Sequence, residues 1–378
     1  MARFGTDAHV TTIAEVTVES YRVSIDPPIR NGKYTYASHD LCAVRVATDD
    51  GLVGLGIGDG GVGLARAPAM IRATVESLRP ALVGENPLRT ERIWSALWNP
   101  KLLGRRGFTT RVVSAIDLAL WDLKGKLFGV SVAELLGRCH DTVPAYVAGG
   151  YYRDGSGIEE LVDEMAGHVA AGARAVKMKV GGASLREDAA RVRAVRDAIG
   201  DDVRLLVDAN NAYRLNEALE VARRLAAFDV YWLEEPLMPD DYAGHAYLAA
   251  HSPVPIAAGE NEYTRYGFRD LIEHRSAAIL NPDAQFVGGV TEFMKVAALA
   301  QAHDLPIAPH GNAELHVQLA AAAPNALLVE VARVPGDSIW NLFFPQRLHL
   351  VDGAVAPLDA PGFGIEPDEE ALAACRVE

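Results

Sequence analysis

Apolar residues repeat differently in the first 140 residues and in the rest of the chain. Residues 13–25 and 41–58 alternate apolar and polar side chains, and the second segment contains Asp50-Gly51, a hairpin turn signal. Residues 109–129 instead repeat their apolar residues every three to four positions, which is typical of an amphipathic helix. The pattern predicts an α+β domain over residues 1–140, with antiparallel strands followed by helices.

From Val143 onward, short apolar runs alternate with longer amphipathic segments, which is typical of βα units that build a parallel sheet. Eight strands are predicted, within residues 143–150, 174–181, 203–210, 230–236, 254–260, 277–285, 305–311 and 326–332. Eight units predict an α/β fold of the (β/α)8 TIM-type barrel class over residues 141–344. Residues 345–378 are rich in turns, and we expect them to return to the first domain, which would cap the barrel.

Charged residues follow the predicted strands at their carboxyl ends, where barrels of this type carry their active sites. In chain order they are Lys177 and Lys179, Asp208, Glu234, Glu260, Asp283, His310 and Glu330. From Asp208 to His310, successive members are 26, 26, 23 and 27 residues apart. Each interval fits one βα unit, so we expect these side chains on neighbouring strands around a common centre.

Asp208, Glu234 and Glu260 are predicted to end three consecutive strands. Three carboxylates this close cannot all stay ionised without a counter-ion. Ligation by oxygen alone favours a hard divalent cation, and three protein ligands leave octahedral positions for water and substrate, which suits Mg²⁺. Each acid alone could instead cap a helix or pair with an arginine, but their common register favours a metal site.

Lys177 and Lys179 are two positions apart and therefore face the same side of a strand. The apolar Val176, Met178 and Val180 are expected to face the helices, which leaves both lysines in the barrel mouth. A neighbouring ammonium lowers the pKa of a lysine, so the pair predicts a base that works near neutral pH. Two solvated lysines on an edge strand are the alternative, which a closed barrel disfavours.

His310 is expected across the barrel from the lysines, one strand after Asp283. An aspartate that accepts a hydrogen bond from one imidazole nitrogen fixes the tautomer and raises the basicity of the other nitrogen. Although a lone histidine is more often structural, the position beside Asp283 predicts an acid/base dyad.

Composition narrows the class of partner. A net charge of −14 and a pI near 5.3 argue against a nucleic-acid partner, because such binding needs a clustered basic surface. The three cysteines are widely spaced, as expected of reduced thiols. We find neither an apolar run long enough to span a membrane nor a secretory signal at the N-terminus. We therefore expect a soluble cytoplasmic protein with no membrane partner.

Six motifs, KMK, DAN, EEP, GEN, PDAQFVGG and PHG, occur in this order and together resemble the enolase superfamily, in particular its mandelate racemase subgroup. The resemblance covers essentially the whole chain. It implies a small-molecule carboxylate substrate, a Mg²⁺ cofactor, and removal of the proton α to the carboxylate to give an enediolate. It also implies that Asp208, Glu234 and Glu260 bind the metal, and that the protein forms a homo-oligomer.

The same resemblance implies a role for each remaining residue. Lys179 resembles the base on one face, tuned by Lys177, and His310 with Asp283 resembles the acid/base on the other. Glu330 is a further catalytic candidate and resembles an acid that hydrogen-bonds the substrate carboxylate. The expected substrate-binding residues are Asn210, Lys177 and Glu330 in the barrel and Tyr36 and His39 in the capping domain.

Two bases on opposite faces permit either inversion of the α-carbon or loss of water from a β-hydroxyl group. The lysine pair with an Asp-His dyad resembles acid-sugar dehydratases, so the expected reaction is dehydration of an aldonate or aldarate to a 2-keto-3-deoxy acid. A racemase or epimerase of an α-hydroxy acid is the alternative, and a non-catalytic carboxylate-binding relative is the alternative of another class. A metal-dependent hydrolase would prefer ligation rich in histidine.

Substrate choice in this family lies in loops of the capping domain, here residues 26–40 and 54–63. The glycines of residues 54–63 match a dinucleotide fingerprint superficially, but no βαβ unit surrounds them, so we expect no such cofactor. Lys101, Arg105 and Arg106 are expected to be surface charges.

Overall fold

The computed structural model describes residues 11–60, 66–98, 105–332, 339–343, 345 and 348–378. Residues 61–63 of the second specificity segment lie outside the described residues, as does Lys101.

The chain begins with three antiparallel strands that pair in sequence order. They are β1 (Ile13–Arg30), β2 (Thr35–Thr48) and β3 (Val53–Asp59). Four helices and a short 3₁₀ turn at Arg79–Ala81 follow: α1 (Ala67–Leu78), α2 (Thr90–Leu97), α3 (Phe108–Phe128) and α4 (Val132–Leu136).

Helix α3 lies unusually close to β3. A Cβ atom on Gly56 would lie 1.9 Å from the carbonyl oxygen of Ala115, and one on Gly54 would lie 2.1 Å from that of Ala119. Real Cβ atoms do not approach backbone oxygens so closely, so a side chain at either position would push the helix away. Packing of helix on strand therefore explains these two members of the glycine run.

A parallel sheet curls into the predicted barrel, with neighbours in the order β10-β4-β5-β6-β7-β8-β9. Its strands are β4 (Val143–Ala148), β5 (Ala175–Lys179), β6 (Arg204–Asp208), β7 (Val230–Glu234), β8 (Ile256–Ala258), β9 (Ile279–Leu280) and β10 (Val329–Ala332). The helices around it are α5 (Ile158–Ala170), α6 (Leu185–Ile199), α7 (Leu215–Leu225), α8 (Tyr242–His251), α9 (Thr264–Glu273), α10 (Gly289–Gln301) and α11 (Ala313–Ala320), with a 3₁₀ turn at Ala226–Phe228.

The segment predicted as the seventh strand, residues 305–311, differs from the other seven. Only Ile307 pairs there, through single parallel bridges to Leu280 and to Ala326, and these bridges complete the ring. Pro306 and Pro309 flank this position and have no N–H group to donate, so the ladder cannot extend in either direction. The barrel is confirmed, with one strand reduced to a bridge.

Strand β5 alternates its faces as predicted. Val176, Met178 and Val180 belong to the apolar cluster between the strands and the helices. The barrel interior is a separate cluster that includes Ala175, on the same face as the two lysines, and contains large rings such as Trp232. The lysines therefore lie on the inner face of the barrel.

The last segment contacts both parts of the molecule. It contains α12 (Ile339–Phe343), β11 (Ala354–Val355), α13 (Glu369–Ala374) and β12 (Arg376–Val377). Strand β11 pairs with β4 of the barrel, and β12 pairs with β1 as the fourth strand of the first sheet. In the part of the chain that the structure describes, no helix is both long and apolar enough to cross a membrane.

Candidate metal centre and active site

Asp208, Glu234 and Glu260 converge at the carboxyl ends of three neighbouring strands. Asp208 ends β6, Glu234 ends β7, and Glu260 lies two residues beyond β8. One oxygen from each carboxylate lies within 4.8 Å of the other two, and all three side chains are buried. Asp208 is directly paired with Glu234 in the parallel register, so the sheet itself holds these two acids together.

Only some oxygens of this carboxylate triad accept hydrogen bonds from the protein. Asp208 Oδ1 accepts the backbone N–H of Asn210 at 2.9 Å, and Glu234 Oε2 accepts the indole N–H of Trp232 at 2.9 Å. Glu260 Oε2 and Asn210 Oδ1, in contrast, are buried and accept no hydrogen bond from the described residues. A buried oxygen that accepts no hydrogen bond destabilises the folded state unless a ligand binds to it. A set of ligand atoms that are all oxygens fits a hard divalent cation.

The two lysines contact the triad directly. Lys179 Nζ donates to Asp208 Oδ2 at 2.5 Å. Lys177 Nζ donates to Glu234 Oε1 at 2.7 Å and to Glu330 Oε2 at 3.1 Å. Counted as ionised, the triad and Glu330 carry four negative charges against two ammonium groups. The excess equals the charge of one divalent cation.

The expectation that the lysine pair lowers the pKa of Lys179 is wrong in this structure. Burial lowers this pKa and Lys177 adds to that effect, but Asp208 outweighs both and raises the pKa above its ordinary value. Burial also opposes charge on Lys177, whose pKa is nevertheless raised by Glu234 and Glu330. The spacing of two lysines in the sequence says nothing of the carboxylates that face them across the strands.

The pKa values of Glu234 and Asp208 shift in opposite directions. Burial raises the pKa of Glu234 to about 8 even though Lys177 lies against it. Burial also acts on Asp208, but Lys179 and Lys177 together hold its pKa below the ordinary value. Two ammonium groups face Asp208, whereas one donates to Glu234, and Asp208, Glu260 and Glu330 add to the rise in the pKa of Glu234.

His310 and Asp283 form a hydrogen-bonded pair on the Glu260 side of the triad. His310 Nδ1 lies 2.9 Å from Asp283 Oδ2, and His310 Nε2 lies 3.5 Å from Glu260 Oε2. Burial opposes charge on both groups. Even so, Glu260 and Asp283 raise the pKa of His310 to about 10, while His310 and His316 hold the pKa of Asp283 far below its ordinary range. The pair can therefore keep a proton on the imidazole.

Glu330 lies on β10 and joins Lys177 to the wall of the barrel. Its Oε2 atom accepts hydrogen bonds from Lys177 Nζ, from Tyr146 Oη at 2.9 Å and from the backbone N–H of Gly311 at 3.3 Å. Burial would raise the pKa of Glu330, but Lys177 and His310 lower it to about 2. Glu330 is thus an ionised acceptor beside the triad.

The predicted substrate-binding residues lie at different distances from this centre. Asn210 Nδ2 lies 3.4 Å from Glu260 Oε1, and the backbone of Asn210 is left-handed, with φ of 43°. Strained backbone of this kind concentrates at functional sites. Tyr36 packs edge-on against Tyr151, with ring centres 6.4 Å apart, and Tyr151 in turn lies 5.1 Å from Lys179 Nζ. Tyr36 is therefore at the mouth.

His39 lies on β2, half-buried and opposite Val23 in the register with β1. Its role in substrate binding stays a prediction.

Several residues around the centre are not predicted by the sequence pattern. Tyr146 and Trp232 pack edge-on inside the barrel, with ring centres 5.4 Å apart, and each donates to a site carboxylate. His316 is buried with Nε2 3.3 Å from Asp283 Oδ1. Strand alternation could have found Trp232, because it lies two positions before Glu234 and so shares its face. No local signal identifies His316, because it lies on α11, the helix that follows His310.

Arg106 is exposed, as expected of a surface charge, but its guanidinium is also paired. Its guanidinium donates to Tyr242 Oη at 3.0 Å and lies 3.5 Å from Glu262 Oε1 and 3.2 Å from Asp270 Oδ2. Glu262 lies two residues beyond Glu260, so Arg106 ties the segment before α3 to the loop that carries a triad carboxylate. Arg105 is exposed, as expected.

Comparison with known proteins assigns both halves of the chain. Residues 13–137 match the family described as "Mandelate racemase / muconate lactonizing enzyme, N-terminal domain", and residues 160–371 match "Enolase C-terminal domain-like". The chain is 35% identical over 366 residues to 3,6-anhydro-alpha-L-galactonate cycloisomerase of Streptomyces coelicolor, covering 95% of this chain and 98% of that protein. It is also 35% identical over 335 residues to arabinonate dehydratase of Saccharolobus solfataricus, covering 86% and 87% respectively.

A similar solved structure is L-talarate dehydratase from Polaromonas sp. JS666, complexed with Mg and L-glucarate. It is 34% identical to this chain, with a TM-score of 0.88, and the match covers 97% of this chain and 98% of that one. The similarity therefore extends over the barrel and the capping domain together.

Proposed function

Because the chain belongs to the mandelate racemase and muconate lactonizing enzyme family of the enolase superfamily, we propose that it is a Mg²⁺-dependent acid-sugar dehydratase. The substrate would be an aldonate or aldarate and the product a 2-keto-3-deoxy acid. Relatives that are dehydratases or cycloisomerases of acid sugars support this class of chemistry.

One arrangement carries the proposal: two proton-transfer groups flank the carboxylate triad at opposite ends. Lys179 contacts Asp208, the first acid in strand order, whereas His310 lies beside Glu260, the last. A substrate carboxylate bound at the triad would present its α-carbon between an amine and an imidazole. A site of that form suits a reaction that removes one proton and delivers another.

Asp208, Glu234 and Glu260 would hold Mg²⁺, which when bound supplies positive charge that acidifies the α-proton and stabilises negative charge on the substrate carboxylate. Glu330, fixed by Lys177 and Tyr146, would accept a hydrogen bond from the substrate. Asn210 Oδ1, which has no donor among the described residues, would accept one from the substrate α-hydroxyl group.

The pKa of Lys179 is raised by Asp208, and it would fall once a bound cation offsets the charge of that carboxylate. In its neutral form Lys179 would then take the α-proton, and the electron pair of the C–H bond would move toward the carboxylate to give an enediolate. His310 would then donate its Nε2 proton to the β-hydroxyl oxygen as the carbon–oxygen bond breaks, so that water leaves. Asp283 holds Nδ1 of the imidazole and so directs Nε2 toward the substrate. The enol that remains becomes the 2-keto-3-deoxy acid, and solvent resets both proton carriers.

Isomerisation without loss of water is the second candidate, because the relative that matches 95% of this chain is a cycloisomerase. The same base and acid would serve it. They would return a proton to the substrate rather than expel water, or would protonate a ring oxygen rather than a hydroxyl.

A panel of aldonates, aldarates and their anhydro or lactone forms, incubated with the protein and Mg²⁺ in D₂O, separates these outcomes. Loss of the mass of one water supports dehydration, whereas a new NMR spectrum without loss of water supports isomerisation and overturns dehydration. If no member loses water, changes its NMR spectrum or gains deuterium at its α-carbon while Mg²⁺ binds, the proposal of an enzyme fails.

Lys179→Ala should lower turnover by about 10²–10⁴-fold, the usual contribution of a positioned general base. Lys124→Ala, which removes a lysine on α3 that stacks on Trp121, is the matched control and should retain turnover.

A further inference from the structure

Arg111 belongs to the capping domain, but its contacts surround the entrance of the barrel. It lies in the first turn of α3, and its guanidinium pairs with Asp59 at the end of β3. Arg111 Nε donates to Tyr263 Oη at 2.9 Å, and the guanidinium carbon lies 3.9 Å from the centre of the Phe286 ring. A single side chain thus joins a strand of the cap to two loops of the barrel.

Both loops carry residues of the candidate active site. Tyr263 follows Glu260 by three positions on the loop between β8 and α9, and Phe286 follows Asp283 by three positions on the loop after β9. The ring of Phe286 is centred 6.4 Å from the imidazole of His310, at an interplanar angle of 36°. Contacts therefore run from Arg111 through Phe286 to His310.

The chemistry of the contact favours arginine. A planar guanidinium can pair with a carboxylate through one edge and still lay its face over an aromatic ring, which an ammonium group cannot do. Asp59 and Tyr263 fix the plane of Arg111 from two sides, and that plane restrains Phe286. Asp283 fixes His310 at Nδ1 only, so a second restraint beside the ring limits how the imidazole can tilt.

We propose that Arg111 is a positioning residue for His310, acting through Phe286. It holds the imidazole in the orientation from which Nε2 delivers a proton to the leaving oxygen. The proposal rests on the proposed function, because that function assigns the proton delivery to His310 and the proton removal to Lys179.

Because His310 and Lys179 act in different steps, Arg111→Met should affect only one of them. The variant keeps the side-chain length but loses the positive charge and the planar guanidinium group, so His310 should be misplaced while Lys179 is not. In D₂O, exchange of deuterium into the α-position of the substrate should persist, whereas product formation should fall about ten- to a hundredfold, as expected for a small displacement of a reacting group. Arg111→Met should therefore raise the ratio of exchange to product formation, and Phe286→Leu should raise it as well.

Arg45→Met is the matched control. Arg45 also bridges two carboxylates, Glu19 and Glu369, and its side chain is 21% exposed against 25% for Arg111, but these three residues lie within the cap and the C-terminal segment. It should leave the ratio of exchange to product formation unchanged. Equal losses of exchange and product in Arg111→Met, or a ratio that matches that of Arg45→Met, would overturn the positioning role.

A spectroscopic measurement keeps the test independent of turnover. The imidazole ¹⁵N signals of His310, assigned with His310→Asn, should shift in Arg111→Met and in Phe286→Leu but not in Arg45→Met. Unshifted signals in Arg111→Met contradict the proposal. Shifted signals in a protein that shows neither exchange nor product with any acid sugar would instead support the positioning contact and reject the proposed function.

Discussion

Two of the regions in which the molecule buries carboxylates satisfy them differently. One region is the carboxylate triad at the barrel mouth. The other is the α3 seam, which we define as Asp117 and Asp122 of α3 with their hydrogen-bond donors. Asp117 accepts the hydroxyl of Thr291 at 2.6 Å through Oδ1 and the backbone N–H of Thr291 at 2.9 Å through Oδ2. Both of its oxygens are satisfied by the chain itself.

Asp122 is satisfied in the same way. Its two oxygens accept the backbone N–H groups of Leu55, at 2.8 Å, and of Phe363, at 2.9 Å, and Lys126 lies 2.7 Å from it. It thereby joins β3 and the C-terminal segment to α3. At the mouth, in contrast, Glu260 Oε2 accepts no hydrogen bond from the described residues, and His310 Nε2 lies 3.5 Å from it. A buried acid whose oxygens all accept hydrogen bonds from the protein stabilises the fold. A buried cluster in which one oxygen accepts no hydrogen bond is suited to binding a ligand.

The largest effect that tests this contrast is expected at the mouth. Glu260→Gln removes a ligand oxygen and one charge of a like-charged cluster. It should lower turnover by about 10²–10³-fold or more, the loss measured when one electrostatic contact to a transition state is removed. The free energy of unfolding without Mg²⁺ should stay equal or rise, because the remaining acids repel one another less.

Glu292→Gln is the control for that substitution. Glu292 is fully buried on α10, and both of its oxygens accept hydrogen bonds from Arg265. The variant should keep turnover and lose stability, measured by urea unfolding. Retained turnover with lost stability in Glu260→Gln, together with lost turnover and retained stability in Glu292→Gln, would contradict the distinction between unsatisfied and satisfied buried carboxylates.

In the α3 seam the effect should be on stability. Asp122→Ala leaves the N–H groups of Leu55 and Phe363 buried without an acceptor, at about 1–3 kcal/mol for each. We expect the free energy of unfolding to fall by about 2–6 kcal/mol, while turnover per folded molecule stays near that of the wild type. A stable Asp122→Ala protein with lost turnover would show that the seam serves the reaction rather than the fold.

Withdrawal of Mg²⁺ should have a smaller effect that is confined to one region. A cation present at a hundred times its dissociation constant stabilises the folded chain by about 2.7 kcal/mol. Unfolding with Mg²⁺ and with a chelator should differ by that amount in the wild type and in Asp122→Ala, but not in Glu260→Gln. An equal difference in Glu260→Gln would place the cation away from the triad.

The sequence predicted much of the mouth because its geometry follows from local rules. Alternation along β5 fixes the face of both lysines, and the carboxyl-end rule gathers residues such as Asp208 and Glu234 from separate units. These rules need no knowledge of distant neighbours. For the same reason they could not give the pKa of Lys179, which Asp208 sets from the next strand.

The α3 seam had no comparable signal. Asp117 meets Thr291 at a separation of 174 residues, and Asp122 meets Phe363 at a separation of 241. Arg111 likewise finds Tyr263 across 152 residues. A helical period identifies the buried face of α3, but it does not state which distant N–H group that face will satisfy. Contacts of this kind follow from how the cap docks on the barrel, which single-chain periodicity does not encode.

The smallest effect concerns the pH dependence of the seam. Burial raises the pKa of Asp117 to about 7, even though Thr291 donates to both of its oxygens. In the unfolded chain the pKa is about 3.9, so between about pH 4 and pH 7 the folded state holds a proton that the unfolded state has lost. The free energy of unfolding should therefore fall as the pH rises through this window, by up to about 1.4 kcal/mol per unit.

Asp117→Asn cannot titrate, so the free energy of unfolding of the wild type minus that of the variant should decline across this window and become flat above it. Urea unfolding at several pH values measures the difference, and parallel curves would contradict it. The physical reason separates the two regions again. The hydrogen bonds to Asp117 come from neutral groups, and burial outweighs both them and Lys295 in setting its pKa, whereas two ammonium groups face Asp208 and reverse the direction.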